Sequence, residues 1–470
     1  MCEIYFSNIN LFKMKAILTM LGLACTLTVG AQTKQAYEKT ALEEITANKF
    51  LAGGNAVDYD RLPRKALTPA PKGYEPYYMS HYGRHGSRWL LNDRDYSSPI
   101  TTLRDAKKAG VLSAAGDKVL AKLEEIQKNS KGRLGDLSDI GEKQHHGIAK
   151  RMVQNFPEIF KAPNLLLDAR STTSTRAILS MIAECEELMQ ANATATIHNE
   201  ANENIMRYMN ASKDGLQRAN ESKARPIQND YENRMRDPRR LMKVLFTDQD
   251  WVYMNLMPRQ LMGSLYDIAT NQQSHDNDTE LLDIFTPEEL YKLWINNNLY
   301  WYLNFANAPQ TDHVMPWAQA NLLRNIIETA DTVTVKQATL RFGHDTVVLP
   351  IVSLMELGGW GCSIDNLDEL DTYFRSYMVI PTACNIQLIF YRPKKGKGDI
   401  LVKALLNENE VTMPVETDMF PYYKWSDVKE FYEAKLKKQP KPMPGMSAPS
   451  QERQIPAAFL QMMQQQQQSY

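Results

Sequence analysis

The chain has 470 residues, with 43% hydrophobic and 23% charged residues and a formal net charge of -1. This balance is that of an ordinary globular protein, long enough for roughly three average domains or one large domain carrying an insertion. A near-zero charge supplies no global basic field, which argues against nucleic acid or an anionic membrane as partner and leaves any attraction for an anionic ligand to local groups.

The N-terminus reads as an address. Met14-Lys15 opens a charged start, residues 16–29 form an apolar run, and Val29-Gly30-Ala31 is a small-residue cleavage pattern with Gln32 as the mature N-terminus. The run is short for a bilayer span, so export without stable membrane insertion is expected, to the periplasm or the extracellular space. Residues before Met14 read as an upstream-start artefact. The alternative is lipid anchoring through Cys25, for which Gly22 is a poor match in the preceding box. Cleavage leaves Cys185, Cys362 and Cys384, an odd number that makes no disulfide framework, although Cys362 and Cys384 have the option of pairing.

Beyond the address, 77–82 reads as a short strand, followed by helical periodicity at 99–109, 114–129 and 141–156. Leu165-Leu166-Leu167 is a buried-strand candidate, and 175–190 an amphipathic helix. Strands alternating with helices imply an α/β fold, a mostly parallel central sheet flanked by helices. The segment 196–312 lacks convincing strands and carries helical stretches near 229–246, 249–271 and 287–305, so it reads as an inserted all-helical domain. The α/β pattern returns with a strand at 338–342, a helix at 347–357, strands at 386–391, 400–406 and 411–415, and a last helix at 425–437. The expected organisation is a segment 1–31 removed on export, an α/β domain from 55–195 and 313–437, the helical insertion 196–312, and a glutamine-rich low-complexity tail over 438–470.

The chemistry concentrates at His81-Tyr82-Gly83-Arg84-His85-Gly86-Ser87-Arg88, just past the first strand. Ligand sites of open α/β sheets lie beyond the carboxyl ends of strands. Gly83 and Gly86 permit close backbone approach to a bound group. Arg84 and Arg88 flank an imidazole and suit bidentate contact with phosphate oxygens. A neutral His is an accepted covalent nucleophile. Far downstream, a second strand ends in Gly343-His344-Asp345-Thr346, where His344 is placed to bond a phosphoryl oxygen and Asp345 to serve as a general acid or as a helix N-cap. A third block, Arg170-Ser171-Thr172-Thr173-Ser174-Thr175-Arg176 with Ser180, opens a helix and offers an anion site at its N-terminus.

Arg84-His85-Gly86-Ser87-Arg88 resembles the RHGxR signature of the histidine acid phosphatases, the branch that contains phytases and multiple inositol polyphosphate phosphatases. Residues 340–344 are similar to the second signature in the inositol polyphosphate phosphatases, while Asp345-Thr346 continues as phytases do. The resemblance implies an inserted helical domain and a site in the cleft beside it. It also implies Arg176 as the third phosphate-binding arginine, with Arg170 as its competitor, and a structural role for 137–141. The expected protein is then a phosphomonoesterase acting on a small-molecule phosphate monoester, with inositol polyphosphates favoured. His85 is the expected nucleophile and Asp345 the acid, with Arg84, Arg88, Arg176 and His344 binding the phosphate. No cofactor and no metal are expected. A broad acid phosphatase and a phosphohistidine mutase are the alternatives. His145-His146 reads as solvated or at a pocket edge. The basic stretch from Arg218 to Lys243 reads as a solvated helix face, with a wall of the substrate cleft as the competing reading.

Overall fold

The computed structural model describes residues 36–211, 214–275 and 281–440. The proposed leader, Cys25 and the tail from 441 lie outside the described residues. Eight strands form one mixed sheet in the order β3-β2-β4-β1-β5-β6-β7, with β8 paired to β6. The strands are β1 (Tyr74–Arg84), β2 (Leu166–Ser171), β3 (Thr196–Glu200), β4 (Gln337–Gly343), β5 (Asn385–Pro393), β6 (Leu401–Leu406), β7 (Asn409–Val411) and β8 (Tyr423–Lys424). The first four pair in parallel, and β5, β6, β7 and β8 join them through antiparallel ladders.

Counting α-helices of seven residues or more among the described residues, α1 is Ala41–Ala47, α2 Asp93–Lys108, α3 Ala114–Ser130, α4 Asp139–Asn155 and α5 Thr175–Ala191. Next come α6 (Glu203–Met209), α7 (Asp214–Met235), α8 (Arg239–Leu245), α9 (Gln249–Asn255), α10 (Pro258–Asn271) and α11 (Pro287–Phe305). The last three are α12 (Ala320–Thr332), α13 (Asp345–Leu354) and α14 (Trp425–Lys437). Ser138 caps α4 by accepting the Gly141 N–H. Thr286 and Glu289 form a capping box with Pro287 at the first turn of α11, so this helix begins where its local chemistry dictates.

The sheet is buried on both faces. On one, Met79, Leu167, Ala169, Leu340 and Phe342 pack with Ile148 and Met152 of α4 and Met181 and Leu188 of α5. On the other, Tyr78 and Tyr82 join a larger core reaching through Leu265, Trp294, Leu323 and Val348. Two-sided burial takes in polar members as well, since Thr339 and Arg341 of β4 and Gln387 of β5 are all buried.

Several sequence expectations shift. The segment 196–312 does contain a strand: β3 is a polar edge strand, paired only to β2, and too half-buried to show an apolar signature. The 229–246 stretch divides at Pro238 into α7 and α8, and 249–271 divides before Pro258 into α9 and α10, because proline lacks the donor that a helix interior needs. The expected strand 411–415 is only the tail of β7. Cys362 and Cys384 form no disulfide.

The 137–141 step acts through contact between backbones. A Cβ on Gly86 would collide with the Gly141 backbone, and one on Gly141 would meet the Ser87 carbonyl and lie 2.7 Å from Ser87 N. Ser138 seals the contact, its N–H and its hydroxyl both donating to the Ser87 carbonyl at 2.9 and 3.1 Å. Gly141→Ala is therefore expected to cost about 1–3 kcal/mol of stability, read by chemical denaturation. A variant as stable as the parent would show that the loop after β1 is not held by this contact.

Candidate active site

Three parallel strand ends build the site. The β1–β4 register sets Arg84 opposite Gly343, and the His85 N–H donates to the Gly343 carbonyl at 2.9 Å, carrying the pairing one residue past the strand. On the other side of β4, Ser171 of β2 pairs with Phe342 and Thr172 N–H donates to the Phe342 carbonyl at 3.0 Å. The first and second signatures and the head of α5 thus converge at one edge of the sheet. Gly343 is required there, since a Cβ would run into the Tyr82 hydroxyl. That hydroxyl donates to the Met209 carbonyl at 2.7 Å.

His85 is buried, and its Nδ1 lies 2.8 Å from the Gly86 carbonyl. A carbonyl only accepts, so Nδ1 carries the hydrogen and the neutral ring keeps its lone pair on Nε2. Burial, then the charges of Arg84, His344, Arg176 and Arg88, hold the imidazole well below its usual range. The neutral form of the ring is favoured. The His344 ring stands edge-on to it, with centroids 5.6 Å apart, and His344 Nε2 lies 3.1 Å from Thr172 Oγ1.

Arg84 is fixed from several sides. Its guanidinium donates to the Asn55 carbonyl, to the Ile380 carbonyl at 3.1 Å and to Asp345 Oδ2 at 2.8 Å. Among the described residues, Arg84, Arg88 and Arg176 each keep a buried Nε with no hydrogen-bond partner. Burial and the neighbouring Arg84 bring Arg88 down to about 10, so it stays cationic at neutral pH. Three arginines with unspent donors around a neutral imidazole form an anion cradle. Arg170, the competitor, is committed elsewhere. It pairs with Asp168 at 2.9 Å and donates to the Tyr208 hydroxyl.

Asp345 is the first residue of α13, and His344 takes the N-cap position, which corrects the expectation of Asp345 as cap. Its Oδ1 accepts from Thr346 N–H at 2.9 Å, and its Oδ2 accepts from Arg84 and from Asn55 Nδ2 at 3.0 Å. Burial alone would raise this carboxyl, but Arg84, the Asn55 bond, His344 and Arg88 outweigh it and hold it below the usual range. These groups therefore favour the ionised carboxylate. Asn55 belongs to a 3-10 segment, Lys49–Ala56, and nothing in the sequence marked it.

Two further expectations change. Gly83 serves packing, since a Cβ there would lie 2.7 Å from the His81 ring. His145 is fully buried, its Nδ1 2.7 Å from Glu184 Oε1 between α4 and α5, and is not at a pocket edge. His146 is half-buried beside Glu187. No three His, Cys, Asp or Glu side chains among the described residues converge as metal ligands would.

With the geometry in view, the chain shares its fold with solved structures of a multiple inositol polyphosphate phosphatase and of phytases. The multiple inositol polyphosphate phosphatase of Bifidobacterium longum in complex with inositol hexasulfate matches with a TM-score of 0.63 at 17% identity, covering 85% of this chain and 96% of that one. The same enzyme in complex with phosphate matches at 0.63 and 17%, covering 86% and 97%. The phytase from D. castellii matches at 0.64 and 14%, covering 83% and 86%. No protein-family model and no curated protein matches the chain.

The buried His81 makes the fold sensitive to acid. Both its ring nitrogens are buried without partners. Burial, then the charges of His145 and Arg341, lower it from 6.5 to about 3. The unfolded chain therefore binds a proton that the folded chain refuses, and stability present above pH 6.5 drains as the pH falls toward 3. Each unit in that window is expected to cost about 1.4 kcal/mol through this residue. His81→Leu should flatten the acid side of a stability-against-pH curve from urea melts; an unchanged slope would refute the assignment.

Proposed function

We propose that this protein is an exported phosphomonoesterase that works through a phosphohistidine on His85. The observation that carries the reading is the neutral His85 ring, its hydrogen held on Nδ1 by Gly86 and its Nε2 left as a lone pair, among three arginines with unspent donors. Arg84, Arg88, Arg176 and His344 bind the phosphate and steady charge on its outer oxygens. The Nε2 lone pair attacks phosphorus in line, the bond from phosphorus to the ester oxygen breaks, and Asp345 gives that oxygen its proton. Water then attacks phosphorus, the P–N bond breaks, and Asp345 takes the proton of the water. No cofactor enters these steps.

Because its neighbours favour the ionised form of Asp345, the proton enters with the substrate. A phosphate monoester loses its second proton near pH 6, so in acid it arrives as a monoanion. Settling as a dianion on the arginines, it passes that proton to Asp345, whose ionised form the incoming charge now disfavours. Turnover is then expected to be favoured where the substrate arrives as a monoanion.

Inositol polyphosphates are the proposed substrates, supported by the 340–344 motif and by the enzymes that share the fold. One observation favours a broader monoesterase. Arg239 is bound by Asp237 at 2.6 Å and Arg240 by Glu289 at 2.5 Å, so these members of the basic stretch already have anionic partners. Export is proposed from the leader alone; no helix among the described residues is long and apolar enough to cross a membrane.

Turnover of a radiolabelled phosphomonoester should leave label on the protein after an alkaline quench and none after an acid quench, because phosphohistidine is acid-labile. His85→Ala should remove both label and activity while keeping the parent's melting temperature. Activity in a folded His85→Ala protein would end the reading.

Asp345→Asn should depress alkyl phosphate hydrolysis by about 10²–10⁴-fold, the range of a general acid, and aryl phosphates far less, since a phenolate leaves with little help. Equal losses on both would assign Asp345 a purely structural place.

A further inference from the structure

Asn55 stands outside both signatures, yet it touches the two charged groups at the centre of the site. Its carbonyl accepts from Arg84 and its Nδ2 donates to Asp345 Oδ2 at 3.0 Å. The segment that carries it is pinned on several sides. Tyr266 Oη donates to the Ala52 carbonyl at 2.6 Å, Asp58 N–H to Gln273 Oε1 at 3.0 Å, and Thr382 N–H to the Val57 carbonyl at 2.9 Å. Gly54 takes a positive φ of 56°, and a Cβ there would lie 2.7 Å from Asn297 Oδ1, so the bend that aims Asn55 tolerates only glycine.

We propose that Asn55 is the positioning residue of the acid, holding Asp345 Oδ2 through Nδ2 while the carboxyl is ionised and through its own Oδ1 once the carboxyl is protonated. The inference rests on the phosphomonoesterase reading. An acid that cycles between two protonation states needs a neighbour able to donate in one and accept in the other. Lysine and arginine only donate, and a carboxylate only accepts. A carboxamide does both, by a half-turn about its terminal bond. Among the other groups facing Asp345, Arg84 is tied to two backbone carbonyls and Thr346 contributes a main-chain N–H. Arg88, Arg176 and His344 add charge from the loop after β1, from α5 and from the residue before α13, and Tyr300 of α11, Tyr82 of β1 and Cys384 before β5 face it as neutral groups.

The bond to the ionised form is charge-assisted and the stronger of the two, so its loss favours the protonated acid. Single-turnover rates on a saturating alkyl phosphate should therefore keep their alkaline limb in Asn55→Ala but displace it upward by about one pH unit. In Asn55→Asp, a second carboxyl facing the first should displace it further. Rates on an aryl phosphate should stay within about threefold of the parent, because that leaving group asks little of the acid. A limb that stays in place in both variants, or an equal loss on alkyl and aryl esters, would overturn the proposal and reduce Asn55 to a structural contact. The alkaline-quench label on His85 in the parent protein is read in the same experiment. Its absence would overturn the phosphohistidine itself, and its presence with an unmoved limb would overturn only the role of Asn55.

Discussion

The parallel pairing of β1 with β4 is the constraint on which everything else here depends. One register, Arg84 against Gly343, sets the loop that carries His85 beside the helix that opens on Asp345. The His85 N–H to Gly343 carbonyl bond extends that register just far enough to hold the imidazole at the sheet edge. A slip of one residue would turn Arg84 and His85 to opposite faces and separate them from Asp345. The glycines protect this register. Gly343 clears the Tyr82 hydroxyl, and Gly86 lets the loop lie directly on α4.

Around that pairing, charge and burial are set against each other. Three arginines gather at one point with few anions to offset them, and Asp345 is the nearest. The same field keeps His85 deprotonated and Asp345 ionised. A site that repels a proton from its base and draws one from its acid is poised to receive an anion that brings its own proton. Such a cluster of unsatisfied donors disfavours the folded state until an anion fills it, so function and stability pull apart at this place.

The sequence announced the parts of the site that lie on regular elements. Residues 84–88 and 343–346 sit at the ends of β1 and β4, so their position at the carboxyl edge followed once those strands were read. Arg176 stood out from Arg170 only by resemblance; no sequence pattern told that Asp168 holds Arg170. Asn55 was illegible because it rides on a 3-10 segment without periodicity, in contact with residues distant along the chain. β3 escaped notice because an edge strand with Thr, His, Asn and Glu need not alternate. His145 looked like a surface helix residue because no local pattern reveals that Glu184, one helix away, pairs with its Nδ1 in the core.

The pinning of the segment 48–58 also bears on how the molecule comes together. This stretch leaves a ribosome early, yet its anchors are Tyr266, Gln273 and Thr382. Its seat also includes Gln144, whose amide donates to Asp58 at 2.6 Å and to Ser87 and Thr382 at 3.0 Å. Residues near the start of the described chain must wait for residues near its end before they have anything to rest on. Contacts of such long range make for slow, all-or-none assembly. No N-terminal fragment ending before Thr382 holds every anchor of that segment.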